Sequence, residues 1–415
     1  MLPFPAAAAD AQVASGNIAW IVTASALVLF MTLPGLALFY GGLVRSRNLL
    51  SVLMHCFVIC CVVSLLWVVI GYSLAFTPGG PILGDLSRAF LGGLVPALPD
   101  NGLPEGLFAL FQMTFAIITP ALIIGAFPER VRFPFLLLFI SGWLLIVYVP
   151  VAHWVWGQGW LAGLGTIDFA GGIVVHTTAG VSALVIAMMI GPRRGFPDGL
   201  MSPHSPGLTM AGAGMLWVGW FGFNGGSALA ANGTAAMAIL ATHLAACAAA
   251  LTWMAIEWVK LGKPTSVGLV TGCVAGLATV TPASGFVGPM GGIAIGVAGG
   301  VFCFYGTGIV KQRLRIDDTL DVFAVHGIGG MLGTLLVAFF AATQLGGVGY
   351  AEGMDLPRQV GAQLLGIVAV ALWSALATAV LVKVLGLIAP LRVTPDDEEE
   401  GLDLTTHGER AYEHG

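Results

Sequence analysis

Apolar runs of about 20 residues recur along almost the whole chain, and this pattern constrains the fold more than any other feature. A helix needs about 20 mostly apolar residues to cross the hydrocarbon core of a bilayer. Eleven such runs are present, at approximately residues 18–43, 49–76, 105–127, 133–154, 168–191, 206–226, 233–259, 265–283, 286–310, 324–345 and 360–390. The sequence therefore predicts an all-α integral membrane protein with eleven transmembrane helices.

The composition supports a location in lipid. Only 9% of the residues are charged and 57% are apolar, whereas a soluble domain carries about 25% charged residues. The chain has no run of basic residues, so nucleic acid is not an expected partner. The six cysteines lie inside apolar runs without metal-ligand spacing. We therefore expect them to be packing residues, and we expect neither a metal nor a cofactor.

The basic residues are concentrated in alternate connections between the runs. Those connections and the C-terminal end hold Arg45, Arg47, Arg130, Arg132, Arg193, Arg194, Lys260, Lys263, Lys311, Arg313, Arg315, Lys383, Arg392 and Arg410. The other connections hold only Arg88 and Arg358. Because cytoplasmic loops are enriched in Lys and Arg, the pattern predicts a multi-pass protein of the cell (inner) membrane. The N-terminus would be external and the C-terminus cytoplasmic.

Three parts of the chain follow from this topology. Residues 1–17 form an external N-terminal segment, whose Ala-x-Ala steps fit either a signal-peptide remnant or a disordered end. Residues 18–390 form the transmembrane domain, and residues 391–415 form an acidic cytoplasmic tail. Leu402, Leu404, Ala411 and Tyr412 interrupt the acidity of the tail, so we expect it to dock on the basic inner loops.

Two histidines lie inside runs in related surroundings. His176 follows Asp168 in the fifth run, and His326 follows Asp321 in the tenth. The two runs cross in opposite directions, which predicts an inverted five-plus-five repeat with one extra C-terminal helix and a site at the repeat interface. Ionisable residues inside a membrane generally mark function. For the two aspartates, helix N-capping and a direct ligand role both remain open.

Glycines accompany both histidines on the same helical face. Gly172 and Gly180 lie four residues on either side of His176, and Gly329 and Gly330 follow His326 by three and four residues. Because glycine allows a second helix to approach closely, we expect tight packing around both histidines.

Aromatic residues gather toward the predicted external side. Phe111 and Phe115 are four residues apart and share one helical face, while Trp156, Phe223 and Ser227 lie near outer helix ends. Aromatic faces attract cations, and a serine oxygen accepts an N–H. An interfacial aromatic belt is the alternative interpretation.

The segment Asp168-Phe-Ala-Gly-Gly-x-Val-Val-His176 resembles the signature of the ammonium transporter (Amt/Mep/Rh) family. Further matching segments are Pro34-Gly-x-Ala-Leu-Phe-Tyr-Gly-Gly42, Trp220-Phe-Gly-Phe-Asn-x-Gly-Ser227, Thr281-Pro-Ala, Asp321-Val-Phe-x-Val-His326-Gly and Glu400-Gly-Leu-Asp-x-x-x-His-Gly-Glu409. The resemblance covers nearly the whole chain in order. Trp156 and Ser227 are similar to the bacterial Amt branch.

The resemblance implies roles for the outer residues. Phe115, Trp156 and Ser227 would bind external ammonium or its analogue methylammonium, and Phe111 and Phe223 would stack as a gate beneath that site. The protein would be an ammonium transporter and not an enzyme. A sensor that binds ammonium (a transceptor) and an Rh-type gas channel are the alternatives. A membrane-embedded enzyme would need a nucleophile or metal triad at matched depth, and the sequence has none.

The resemblance also implies the inner part of the pathway. His176 and His326 would bridge through their imidazole nitrogens along a narrow apolar pore, with Asp168 and Asp321 as structural support. Ammonia would pass along the pore, and the histidines would relay the proton. A homotrimer is implied, with one pore in each subunit. A PII-type signalling protein would bind at the cytoplasmic face, where the tail would be regulatory.

Overall fold

The computed structural model describes residues 7–94, 102–198 and 202–412, with side chains described from Ser15 onward. Residues 1–6 of the predicted external N-terminal segment lie outside the described residues. Within these described residues, eleven long helical segments, numbered in chain order, overlap the eleven predicted runs. Segments 1 to 5 are Ala7–Phe30 with Met31–Leu36 and Ala37–Leu43, Leu49–Leu66 with Trp67–Gly71 and Tyr72–Phe76, Glu105–Ile123 with Ile124–Ala126, Phe133–Trp143 with Leu144–Tyr148 and Val149–Val155, and Gly172–Thr177 with Thr178–Ile190.

Segments 6 to 11 are Pro206–Gly226, Gly233–Leu261, Ser266–Val280, Pro289–Gly308 with Ile309–Arg313, Phe323–Ile328 with Gly329–Phe340, and Leu356–Gly386. In the described part of the chain, nine helices are long and apolar enough to cross a membrane. The eighth segment is apolar but shorter, and the sixth is not among the nine. The all-helical membrane architecture agrees with the sequence analysis, while eleven crossings and the inverted repeat remain predictions.

Three segment starts differ from the predicted bounds by four residues or more. The eleventh segment begins at Leu356 and not at residue 360, because Asp355 caps its start. The first segment begins at Ala7 and not at residue 18. The fifth begins at Gly172 and not at residue 168, because Gly171 adopts a φ of 119° and residues 168–171 form a turn. That turn brings the Asp168 carboxylate over the first backbone amides of the segment.

Segments 5 and 10 cross closely where the histidines lie. Each begins with a π-helical turn that contains its histidine, at Gly172–Thr177 and Phe323–Ile328; such turns are frequent at functional sites. A Cβ on Gly330 would lie 2.6 Å from the His176 Cβ, and one on Gly180 would overlap the Gly327 backbone. The expected close approach is confirmed at these two glycines.

The C-terminal tail folds back on the loops that lead into segment 2. Its helices are Pro395–Glu400 and Leu402–His407. The Leu402 side chain is buried, and its amide donates to Asn48 Oδ1 at 2.8 Å. The Asp403 carboxylate accepts the amides of Leu50 and Ser51 at 3.0 and 2.7 Å. The expected docking of the tail is therefore confirmed for Leu402.

Beneath the tail, buried ion pairs join the loops on the same side of the molecule. Glu129 accepts from Arg45 at 3.0 Å and from Arg193 at 3.1 Å, and Arg193 also pairs with Asp317 at 2.9 Å. Burial alone would raise the pKa of Glu129, but the guanidinium groups of Arg193 and Arg45 hold it below its usual value. Glu398 of the tail joins these ion pairs through its carbonyl oxygen, which accepts from Arg45 Nη2 at 3.2 Å.

Candidate functional site

The two histidine rings lie side by side at the crossing of segments 5 and 10. Their Nδ1 atoms are 3.2 Å apart, and their ring centroids are separated by 5.2 Å. His176 is 1% exposed and His326 is 3% exposed. Between two neutral imidazoles, one Nδ1 must donate and the other must accept. This leaves the His176 Nε2, which has no hydrogen-bond partner among the described residues, free for a third molecule.

Asp168 fixes the start of segment 5. Its carboxylate accepts four backbone amides, listed here with their distances: Gly171 at 2.8 Å, Gly172 at 2.7 Å, Ile173 at 2.7 Å and Val174 at 3.1 Å. A carboxylate at this position satisfies amides that a helix start leaves unpaired. The Asp168 carbonyl oxygen also accepts the Trp156 indole N–H at 2.9 Å. The geometry agrees with the capping interpretation.

The carboxylate that caps the start of segment 10 is that of Asp318, so the N-capping interpretation does not hold for Asp321, while its role as structural support stays a prediction. Asp318 Oδ2 accepts the Phe323 amide at 2.7 Å. Asp321 has a φ of 61°, and its carboxylate pairs with Lys311 Nζ at 2.7 Å instead. The spacing could have identified Asp318, because it precedes His326 by eight residues, as Asp168 precedes His176.

Asp318 is fully buried, and its Oδ1 has no hydrogen-bond partner among the described residues. Burial raises the pKa of this carboxyl to about 7, and the neighbouring charge of Asp321 adds to the rise. Lys311 acts in the opposite direction. The connection before segment 10 therefore holds a carboxyl that titrates near neutral pH.

Aromatic rings continue the pathway from His176 toward the end of segment 5 that holds Asp168. The His176 ring stacks on Trp220 at 5.5 Å and on Phe223 at 6.1 Å. The indole N–H of Trp220 donates to Thr281 Oγ1 at 2.9 Å, which fixes that ring. The sequence analysis assigned no role to Trp220, because its type and spacing do not distinguish a pore wall from ordinary packing.

The stacked aromatic pair is formed by Phe115 and Phe223, with centroids 4.2 Å apart and an angle of 29° between the planes. The prediction that Phe111 would stack on Phe223 is therefore wrong. Phe111 packs edge-on against Phe115 at 5.0 Å and over Gly226, where a Cβ would lie 2.7 Å from its ring. Because Gly226 has no side chain, the Phe111 ring packs in that space. Phe223 therefore stacks on Phe115 and not on Phe111.

Trp156 and Ser227 lie at the end of this aromatic column that is farther from His176. Trp156 meets Phe115 edge to face at 5.8 Å, and it is partly exposed. The Ser227 hydroxyl donates to the Phe223 carbonyl at 2.8 Å. Its oxygen can therefore still accept from a donor in solution. The predicted residues Phe111, Phe115 and Phe223 are joined to this end through ring contacts.

Two cavities meet at His326. One, of about 10 Å³, is lined by apolar side chains together with His176, Trp220 and Phe223, and it is just large enough for one water-sized molecule. The other, of about 170 Å³, contains Lys311 and Asp321 on the side of the tail. A narrow apolar passage and a wider charged vestibule thus share His326 in their walls.

This arrangement suits a small molecule that can exchange hydrogen bonds and protons with imidazole. A bare ion would lose its hydration shell in the apolar cavity, which is costly unless it becomes neutral. Among the described residues, no group of three or more His, Cys, Asp or Glu side chains could hold a metal ion. The chemistry available here is therefore that of imidazole nitrogens, ring faces and backbone dipoles.

Known proteins provide an independent comparison. The sequence model of the Ammonium Transporter Family matches residues 19–412. The ammonium transporter of Bacillus subtilis is 46% identical over 393 residues, which cover 94% of this chain and 96% of that protein. The ammonium transporter of Aquifex aeolicus is 47% identical over 410 residues, which cover 98% of this chain and 95% of that protein.

Solved structures have the same fold. The structure described as Sensor Amt Protein superimposes with a TM-score of 0.89 at 32% identity, covering 95% of this chain and 99% of that chain. The crystal structure of Saccharomyces cerevisiae Mep2 gives a TM-score of 0.82 at 38% identity, covering 92% of this chain and 91% of that chain.

Proposed function

This chain belongs to the ammonium transporter family, and from this premise we propose how it moves ammonium across the membrane. Ammonium binds at the outer aromatic end, loses a proton, and crosses the narrow passage as ammonia. The observation that carries the proposal is the histidine pair, with Nδ1 atoms 3.2 Å apart, against an apolar cavity of about 10 Å³.

Recruitment depends on the outer residues. A cation over a Trp or Phe face gains roughly 0.5–2 kcal/mol, and Trp156 and Phe115 offer two such rings at right angles. Ser227 supplies an oxygen acceptor for an ammonium N–H. Asp168 supports this site through the Trp156 indole without touching the cation, because its carboxylate oxygens are occupied by backbone amides.

Selection against K⁺ takes place at the passage and not at the recruitment site. Ammonium and K⁺ carry the same charge and have similar radii, so ring faces alone discriminate poorly between them. Only ammonium can become neutral by losing a proton, and a neutral molecule avoids the desolvation cost of an ion in an apolar cavity. The Phe115–Phe223 stack closes the passage until the substrate displaces it, and Phe111 supports Phe115 from behind.

The histidine pair accepts ammonia and carries the proton. The Nδ1–Nδ1 contact lets a proton pass between the rings, because an imidazole nitrogen can either donate or accept a proton. Beyond His326, the wider vestibule with Lys311 and Asp321 receives the products. The ammonia and the proton would meet again on this side.

We assign the remaining features to the same transporter. The protein functions as a homotrimer in the cell membrane, with the N-terminus outside and the tail in the cytoplasm. A PII-type protein binds at the face formed by the tail, where Arg194 reaches both Glu398 and Glu399. Arg193 connects Glu129 with Asp317, which is next to Asp318. A change in the position of the tail would therefore alter the inner loops and, through them, the vestibule.

A sensor remains the second candidate, because the fold is also that of a structure described as Sensor Amt Protein. Transport is favoured by the two cavities that share His326 in their walls, which place the histidine pair between the aromatic column and the vestibule.

Purified protein in liposomes distinguishes transport from sensing. Ammonium pulses on a solid-supported membrane should give a sustained current that equal K⁺ pulses do not give, and methylammonium should compete. Ammonium binding without any current or uptake would support the sensor and contradict the transporter.

A further inference from the structure

His153 lies three residues before Trp156 at the end of segment 4, and both of its ring nitrogens face backbone carbonyl oxygens. Its Nδ1 lies 2.9 Å from the oxygen of Ala75, in the last turn of segment 2. Its Nε2 lies 2.9 Å from the oxygen of Gly80, in the loop that follows segment 2. The side chain is 1% exposed. A buried imidazole thus joins segment 4 to segment 2 and to the loop.

The two acceptors on one imidazole indicate its protonation state. A carbonyl oxygen can only accept a hydrogen bond, and a neutral imidazole has a single N–H to donate. In a neutral ring, one of the two contacts would place a nitrogen lone pair against an oxygen at 2.9 Å. An imidazolium donates from both nitrogens, and hydrogen bonds from a charged donor are the stronger ones. The contacts of His153 therefore fit an imidazolium.

The charge of this ring depends on the two carbonyl oxygens. The end of segment 2, the loop after it, the short helix Trp160–Gly163 and the start of segment 5 surround this end of segment 4. The titratable or charged side chains on these elements and beside them are Tyr72, Asp85, Arg88, Glu105, Tyr148, Asp168 and His176. Within the part of the chain that the structure describes, none of them forms a hydrogen bond or an ion pair with His153.

The loop after segment 2 also contacts the end of segment 4 through two tryptophans. The Trp160 amide donates to the Pro81 oxygen, and the Trp154 indole donates to the Ile82 oxygen, each at 3.1 Å. Together with Gly80, three successive carbonyl oxygens of the loop accept from residues around this end. The loop therefore holds the turn between segment 4 and the short helix.

A glycine brings the turn that follows Trp156 directly against His153. A Cβ on Gly157 would lie 2.7 Å from the His153 Nδ1 and would overlap the Ala75 oxygen. A residue with a side chain does not fit between them. Because Trp156 immediately precedes this glycine, a change in the contacts of His153 shifts the turn that carries the indole.

We propose that His153, in its protonated form, is a positioning residue for Trp156. The imidazolium holds segment 2, the following loop and the turn together, so that the indole stays edge to face against Phe115. Loss of the proton removes one of the two donors, and water replaces the contact with Gly80, which is exposed. The inference rests on the proposed recruitment role of Trp156. In the proposed orientation, this end faces the outside, so external pH sets the affinity for ammonium.

Solid-state NMR of the protein in liposomes, with its histidines labelled with the heavy nitrogen isotope, tests the protonation without transport. The signals of His153 are those missing from the spectrum of His153→Gln. At about pH 6 both of its nitrogens should carry a proton, and at about pH 9 one of them should have lost it. An unprotonated nitrogen of His153 at about pH 6 would overturn the inference.

Ammonium currents on a solid-supported membrane test the positioning role, with the internal pH held constant. In the wild type, the ammonium concentration for half-maximal current should rise a few-fold between about pH 6 and about pH 8.5 outside. His153→Gln should show the raised value at every pH. The matched control Trp154→Phe removes a bond to the same loop but no titrating group, so it should keep the pH dependence of the wild type. The double variant His153→Gln/Trp156→Leu should be no weaker than Trp156→Leu alone, because His153 acts through the indole.

Two results of the current measurements would also overturn the inference. The first is a half-maximal concentration in the wild type that does not change with pH, a measurement that requires no variant. The second is additivity of the effects of His153→Gln and Trp156→Leu. A weakened Trp156→Leu together with a neutral His153 would overturn this inference and leave the proposed function intact, so the two can fail separately.

Discussion

Segments 5 and 10 begin with the same local structure, but the side chains around the two starts differ. In each, a buried aspartate precedes a histidine by eight residues, and a π-helical turn carries the histidine. Asp168 is saturated by four backbone amides and leads into stacked rings. Asp318 has an unpartnered oxygen and lies beside the Lys311–Asp321 pair at a cavity of about 170 Å³.

In the proposed function, this difference gives the two ends of the passage, near Asp168 and near Asp318, different roles. The end held by Asp168 is closed by aromatic rings, which in the proposed function suits recruitment of ammonium. The end near Asp318 is wider and charged, which suits release. An aspartate-capped π-helical turn thus supports both histidines. The surrounding side chains determine the role of each end of the passage.

The largest expected effect separates the two aspartates. Asp168→Ala leaves four amides without their acceptor, and bonds to a charged group contribute roughly 1.5–3 kcal/mol each. We expect a loss on the order of 5 kcal/mol in stability, against about 2 kcal/mol for Asp318→Ala, which removes one strong amide bond. Thermal unfolding of the purified variants in one detergent measures this. Asp168→Asn, which keeps one acceptor oxygen, should fall between them, and equal losses at both aspartates would refute the asymmetry.

The titration of Asp318 sharpens the comparison. Its pKa is about 7 in the folded protein against an ordinary value of 3.8, so the unfolded chain releases this proton at lower pH. Stability should therefore fall as pH rises from about 4 to 7 and then level off, by at most about 4 kcal/mol. Asp318→Asn keeps the acceptor for Phe323 but has no proton to release.

Melting temperatures of wild type and Asp318→Asn from pH 4 to 8 test this account. The difference between the melting temperature of the wild type and that of Asp318→Asn should decrease as the pH rises from about 4 to 7. Parallel curves would show that Asp318 does not titrate there.

The aromatic column gives a smaller effect on transport. Phe115→Leu and Phe223→Leu remove the stacked pair and should each change the ammonium current roughly fivefold, since such a pair contributes about 1 kcal/mol. Phe111→Leu is the matched control and should have less effect, because its ring lies outside the stack. A larger change in current for Phe111→Leu than for Phe115→Leu would support the stacking of Phe111 on Phe223 that the sequence predicts.

The smallest expected effect is on recruitment. Trp156→Leu or Ser227→Leu should raise the ammonium concentration for half-maximal current a few-fold, because contacts of about 1 kcal/mol are lost. The maximal current should change less. Unchanged half-maximal concentrations in both variants, for ammonium and for methylammonium, would exclude these residues from the binding site.

The membrane architecture and the histidine pair could be predicted from the sequence, because hydropathy and intramembrane charge are local signals. The ring that stacks on Phe223 could not be predicted from the sequence, because Phe111 and Phe115 share one helical face. The two rings differ in that Phe111 packs over Gly226 of another segment. The sequence points to Asp321 because this aspartate lies in the matching segment directly before the tenth run. The left-handed backbone at Asp321, which turns its side chain toward Lys311, is not visible in composition or spacing.

The central claim is that ammonium passes His176 and His326 as ammonia with its proton relayed between them. Solid-supported membrane electrophysiology on proteoliposomes, with ammonium and K⁺ pulses, tests it in His176→Ala, His326→Ala and wild type. We predict that each variant loses the proton-coupled ammonium current or conducts K⁺, because the chain of imidazole nitrogens is broken. Wild-type ammonium current with intact rejection of K⁺ in both variants would contradict the account.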